Sequence, residues 1–205
     1  GDVTVNNLAY GQSVSVDAGN SLNNSAVLAA SGNILINSSA TNNSGSIIAG
    51  LNTDGSTNEG ADLELNTSQL INSGQLVATK DVALTVGSVD NQQGSIEAIG
   101  GDLTLDQLAT LNNANGQLKA GNDIQLTIGR FTLATNHGFD AGHNLLINTD
   151  QIDNSVDFKV DSGLVLNLDQ GFINSGLMET SGEFTLNELS FINQGSGTIT
   201  AAGTA

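Results

Sequence analysis

The side chains best placed for chemistry are carboxylates that recur at one position. Asp62, Asp81, Asp102 and Asp123 each directly precede an apolar–any–apolar triplet, and Asp2, Asn33 and Asn144 hold the same place elsewhere. If the repeats stack, the four carboxylates form a row with a spacing of ~4.8 Å. Like charges that close repel. Turn N–H groups with water could offset them, or a file of divalent cations could. Gly100-Gly101-Asp102-Leu103 does not match a Gly-Gly-x-Gly-x-Asp calcium turn. The hydrogen-bonded reading is therefore the expectation, with no metal and no cofactor.

Asp150, Asp153, Asp157 and Asp161 cluster in sequence and raise the reading of a polysaccharide-active enzyme. Glycosidic cleavage needs carboxylates facing one another across the sugar. Basic and aromatic side chains usually back such a groove. This chain has four basic residues, no Trp and one Tyr. It contains no Gly-x-Ser-x-Gly elbow, phosphate loop or His-based metal spacing. The expectation is that it is not an enzyme.

Two places carry weak binding candidates. Residues 52–60 (NTDGSTNEG) interrupt the repeat and hold Asp54 and Glu59. Insertions of this kind leave a solenoid as loops, on a binding face or merely solvated. The stretch 124–144 holds Arg130, which is the one Arg, together with His137 and His143. A positive spot on an acidic surface reads as a contact site or as a degenerate repeat.

The elements that position these residues repeat. Triplets start at Val14, Ile34, Leu63, Val82, Leu103, Ile124, Leu145, Leu164 and Phe184, and all spacings but one are 19–21 residues. The exception, 29 residues between Ile34 and Leu63, contains the insertion. Asn23, Asn43, Asn72, Asn91, Asn112, Asn154 and Asn193 fall nine residues after their triplets, and Asn174 falls ten after. Short period-2 apolar runs separated by Gly, Asn and Asp read as strands joined by tight turns. A unit of about 20 residues in three short strands buries its apolar face only by stacking on its neighbours. Nine coils at ~4.8 Å give a rod about 43 Å long. The marker Asn side chains are expected to form a ladder, each donating to one neighbouring coil and accepting from the other. Leu133 stands at the matching place of coil 124–144, so the ladder should break there.

Composition agrees. The 205 residues contain no Pro and no Cys, and aromatics make up 3%. Pro would delete ladder donors, and a core this poor in aromatics must be stacked Leu, Ile, Val and Ala. All six Phe lie from Phe131 onward and read as interior stacking. The net charge of −17 excludes nucleic acid and anionic membranes as natural partners. No apolar run approaches the length of a membrane span, and residues 1–20 lack a signal-peptide pattern.

The copies GDLTL (101–105), LNNANGQLKAG (111–121), LINSGQLVA (70–78) and FINSGLMETSG (172–182) resemble the haemagglutinin repeats of the filamentous haemagglutinin family. The resemblance spans essentially the whole chain. It implies a right-handed parallel β-helix of nine to ten coils. It also implies secretion through an outer-membrane transporter partner, and display on a Gram-negative surface as an adhesin or contact-dependent growth inhibition effector. The partner at a distance would be a host- or target-cell receptor or glycan. Residues 1–205 then form a single piece of a longer rod, since both ends lie inside repeats. Its expected function is a shaft presenting distal binding or toxin domains. A recognition segment is the alternative, and a polysaccharide-active enzyme the second alternative.

Overall fold

The computed structural model describes residues 1–133, 138–188 and 190–203. All its regular structure is β, stacked as a parallel β-solenoid of about ten turns. Most coils contribute one long strand and one short strand. The long strands include Val14–Asn24, Ile34–Asn43, Leu63–Asn72, Ile124–Thr132, Asn144–Asn154 and Gly163–Asn174. The first two of the three segments expected per repeat thus fuse into one bent strand in most coils. They remain separate at Leu103–Leu108 and Thr110–Asn112, and again at Phe184–Asn187 and Phe191–Asn193. The short strands begin at Ala9–Gly11 and Val27–Ala30 and run on through Ser46–Ala49, Gln75–Ala78, Ser95–Ala98 and Gln117–Ala120.

Pairing between coils is parallel, and strand order in the main sheet follows chain order. Ile34 pairs with Leu63, Leu63 with Val82, Val82 with Leu103, Leu103 with Ile124, and Ile124 with Leu145. Every triplet start therefore stacks on the next. The period-2 pattern turns the first and third residues of the triplet inward, so Ile36, Leu65, Leu84 and Leu105 are also buried. On the short strands, Ile47, Leu76, Ile96 and Leu118 form one column. Ala30, Ala49, Ala78, Ala98, Ala120 and Ala141 form the other. The small Ala column lets the facing sheet approach, so the interior fills without aromatic rings. Towards the C-terminus larger rings take over: Phe139 pairs with Leu118, Phe158 with Met178, and Phe172 stacks on Phe191 at 5.4 Å.

The insertion 52–60 folds on itself. Leu51 bridges Thr57 antiparallel, and Asn52 and Asn58 exchange side-chain hydrogen bonds of 3.1 and 3.0 Å. Asn58 then ties this small hairpin to both neighbours. Its Nδ2 donates to Ser31 O at 2.8 Å, and its carbonyl accepts from Thr79 Oγ1 at 2.6 Å. An insertion can therefore leave the coil without breaking the ladder, because Ile34–Asn43 still pairs with Leu63–Asn72 in register.

Candidate functional site

An interior amide ladder runs along the axis at the end of each long strand. Asn24 Nδ2 donates to Asn43 Oδ1 at 2.7 Å, Asn43 to Asn72 at 2.7 Å, Asn72 to Asn91 at 2.6 Å, and Asn91 to Asn113 at 2.6 Å. A second run joins Asn154 to Asn174 at 2.8 Å and Asn174 to Asn193 at 2.9 Å. Each Nδ2 also donates to a backbone carbonyl of the following coil, such as Gln75 O from Asn43 at 3.1 Å. Asn43, Asn72, Asn91, Asn154 and Asn174 are all at most 2% exposed. Buried amides demand such partners, and the repeat supplies them.

Two members differ from the expected set. Asn23 and Asn112 do not enter the ladder, and Asn24 and Asn113 stand there instead. The cause is one extra residue at the bend of the long strand. In the first coil the register shifts between Ala18 and Ser21. In the 103–112 coil it shifts after Leu105, and Asn112 consequently pairs with Asp90. The same shift between Thr149 and Gln151 puts Asn174 ten residues after its triplet. Asn23 bonds outside the core, accepting from Asn42 Nδ2 at 2.8 Å and donating to Ser21 Oγ at 3.0 Å. At the place of the gap, Thr132 pairs with Asp153, so buried Leu133 follows onto Asn154. The Oδ1 of the first Asn in each run turns to its own loop, accepting from Ala26 N–H and from Val156 N–H, both at 3.3 Å.

The acidic row is a second axial ladder, of side chain to backbone. Asn33 Oδ1 accepts from Asp62 N–H at 3.0 Å, and Asp62 Oδ1 from Asp81 N–H at 3.3 Å. Asp81 Oδ1 accepts from Asp102 N–H at 3.0 Å, Asp102 from Asp123 at 3.1 Å, and Asp123 from Asn144 at 3.0 Å. Lys80 adds charge compensation, reaching Asp81 at 2.6 Å and Asp62 at 3.6 Å. Burial pushes the Asp81 carboxyl up. The Lys80 bond, the Asp102 N–H and the Lys80 charge outweigh burial and hold it below the usual value. Among the described residues no group of three His, Cys, Asp or Glu converges as a metal site.

The binding candidates scatter. Asp54 caps its own turn, accepting from Ser56 N–H at 2.9 Å and Ser56 Oγ at 2.6 Å, which lowers its pKa. Glu59 is exposed on the same loop. Arg130 lies far from both in sequence and bonds Asp153 of the next coil at 2.7 Å. His137 lies outside the described residues, and the His143 backbone joins the stack through Asn122 O. Asp150 and Asp153 lie in the strand Asn144–Asn154, while Asp157 and Asp161 flank Phe158–Val160. The four are thus spread around one coil rather than paired. Every basic side chain forms an ion pair with a carboxylate of a neighbouring coil: Lys80, Lys119 (Glu97 and Asp140), Arg130 and Lys159 (Glu179).

One set of polar residues escaped the sequence reading. Three residues after the triplet start, a row of amides faces outward. Asn66 donates to Asn37 at 3.0 Å, Asn167 to Asn148 at 2.7 Å, and Asn187 to Asn167 at 2.8 Å. Their constant offset from the triplet is the signal that could have found them.

The comparisons with known proteins bear on this repeated architecture. No curated protein matches the chain, and no solved structure does. The Haemagglutinin repeat model matches residues 1–71, 49–127 and 98–205, which together span the whole chain. The repeat matches and the parallel β-solenoid extend along the same chain, which belongs to the haemagglutinin repeat family as a segment of its filamentous shaft.

Proposed function

We propose that this segment is a passive shaft. It would hold distal binding or toxin domains away from the surface of a Gram-negative bacterium. The parent would be a secreted adhesin or contact-dependent growth inhibition effector, exported through an outer-membrane transporter partner. The observation that supports this is the continuity of the main sheet, whose strands pair in parallel and in chain order from Val3–Val5 to Phe184–Asn187. A solenoid transmits load through nearest-neighbour coils and gains length additively. Its ladders and amide rows are structural rather than catalytic in this reading. The test is an in-frame deletion of residues 82–102 within the longer protein, which joins Asp81 to Leu103 in register. The filament should shorten by about one coil, ~4.8 Å, with target-cell binding or inhibition retained. Loss of that activity with normal surface display would refute a passive shaft.

A second reading rests on the hairpin 51–58, which stands off the coil with Asp54 and Glu59 exposed. Here the segment itself contacts a receptor or glycan. Replacing residues 52–60 with a short linker and measuring target-cell capture by the purified segment separates the two readings.

A further inference from the structure

The long strands bend midway, and the bends of successive coils align into a groove parallel to the rod axis. In the C-terminal half two cavities lie along it. One cavity of about 400 Å³ is lined by Gln107, Thr127, Gly129, Asn148, Asp150 and Asp169 among others. A second, of about 380 Å³, is lined by Asn167, Leu168, Asp169, Asn187 and Glu188. They share Asn167 and Asp169, so one trough spans five coils.

Its walls have a definite chemistry. On one side stands the outward amide row Asn148–Asn167–Asn187, already aligned by bonds of 2.7 and 2.8 Å. Each of these amides retains hydrogen-bonding capacity towards the trough. At the bend, the solvent-exposed carboxylates of Asp150 and Asp169 have no hydrogen-bond or ion-pair partner among the described residues. At the far end, the Oε2 atom of half-buried Glu188 is shielded from solvent and has no hydrogen-bond partner among the described residues. Buried polar atoms are rarely left unsatisfied, so the trough ends on an acceptor that needs a donor. The earlier coils carry Ser39, Ser68 and Gly87 at the corresponding bend, so the carboxylates belong to this half alone.

We propose that this trough binds a glycan strand, uncharged or amine-bearing, lying along the rod axis. Carboxylates and amides lining an open groove are complementary to hydroxyl or ammonium donors. The coil spacing of ~4.8 Å places one amide and one bend residue beside about every sugar ring. No cation lines the trough, and the net charge of −17 opposes sulfated or carboxylated chains. This goes beyond the shaft reading and does not depend on it. It also moves recognition away from Arg130 and the 52–60 hairpin.

The test is isothermal calorimetry on the whole segment with three probes: a β-1,4-glucosamine oligomer, a β-1,4-glucose oligomer and a heparin-derived oligomer. Either or both of the first two should bind, and the third should not. A Cβ at Gly129 meets nothing within 4 Å and needs no unusual backbone angle. Gly129→Phe should therefore fill the trough, leave the melting temperature unchanged and weaken binding by ~10-fold or more. Asp150→Asn with Asp169→Asn gives an independent arm, most severe for the amine-bearing probe. Replacing residues 52–60 should leave binding intact. The proposal is overturned if neither of the first two probes binds at millimolar concentration, or if the sulfated probe binds equally well. It is also overturned if neither set of trough variants weakens binding.

Discussion

Replacing Asn72 by Ala removes a rung from the middle of the interior ladder. Its Nδ2 donates to Asn91 Oδ1, Ser95 O and Gly74 O, and its Oδ1 accepts from Asn43 Nδ2. After truncation Asn43 Nδ2 keeps Gly45 O and Gln75 O. Asn91 Oδ1 loses its donor while remaining buried. One orphaned acceptor costs ~1–3 kcal/mol, and the lost donations add ~0.5–1.5 kcal/mol, so the total is about 2–4 kcal/mol. The adjacent pair Asn112 and Asn113, after the bulged bend of the 103–112 coil, tests the register itself. Asn113→Ala should cost a similar ~2–4 kcal/mol, because Asn113 is 6% exposed and accepts from Asn91. Asn112→Ala should cost ~0.5 kcal/mol or less, since Asn112 is exposed and makes only two long side-chain bonds of 3.4 Å, donating to Asp90 Oδ1 and accepting from Ala114 N–H. Urea denaturation followed by circular dichroism measures all three, with hydrogen exchange locating the loss to flanking coils. If Asn112→Ala costs as much as Asn113→Ala, or Asn72→Ala costs under ~1 kcal/mol, burial and pairing do not control this ladder.

Four further outcomes follow from the same geometry. Gly74→Ala would place its Cβ 2.0 Å from Gly45 O, so it should cost at least ~2 kcal/mol in the same denaturation assay. Arg130→Ala breaks an exposed pair with Asp153 and should cost ~1 kcal/mol or less, vanishing in high salt. The depressed Asp81 carboxyl contributes stability above its ordinary value of 3.8, and that contribution is lost as pH falls through the lower folded value. Asp81→Asn should therefore flatten the acid limb of a melting-temperature profile, and an unchanged limb would refute the role of Lys80. Calcium at millimolar concentration should leave the melting temperature unmoved, because one Oδ1 of each Asp in the row is committed to a backbone N–H; a rise of several degrees would count against that.

The apolar columns were legible because their period is a local property. Each triplet start needs only to face the same residue type one coil on, and Ile34, Leu63, Val82 and Leu103 do so. The bend was not legible. Segments separated by Ser39 or Ser68 read as two strands in sequence, yet the backbone pairs straight through and makes one. The ladder register failed for a related reason. Counting nine residues from the triplet assumes that every bend is the same length, and three bends hold one residue more. Parity within the second half of the strand is the safer guide. Leu22-x-Asn24, Leu70-x-Asn72, Leu111-x-Asn113 and Phe172-x-Asn174 all place the amide on the same face as the core-facing apolar residue two before it, which is buried in all but the partly buried Leu111. Tandem Asn pairs at 23–24 and 112–113 are where distance and parity disagree, and parity wins because burial acts on faces.

That rule says where this fold can accept change. An extra residue within the interior columns would flip every later side chain to the wrong face. An extra residue at the bend is absorbed there as a bulge, and the second half of the strand recovers its parity, as Gln151↔Gly171 through Asn154↔Asn174 shows. The bend is therefore the part of the coil least constrained by packing, and it is also the floor of the axial trough. Gly and Ser give way to Asp150 and Asp169 there at no cost to the core. The same holds for the corner where the 52–60 hairpin leaves the coil, since pairing resumes in register beyond it. Chemistry specific to this segment should then collect at the bends and at that corner, while the amide ladder and the Asp row keep the coils aligned beneath it.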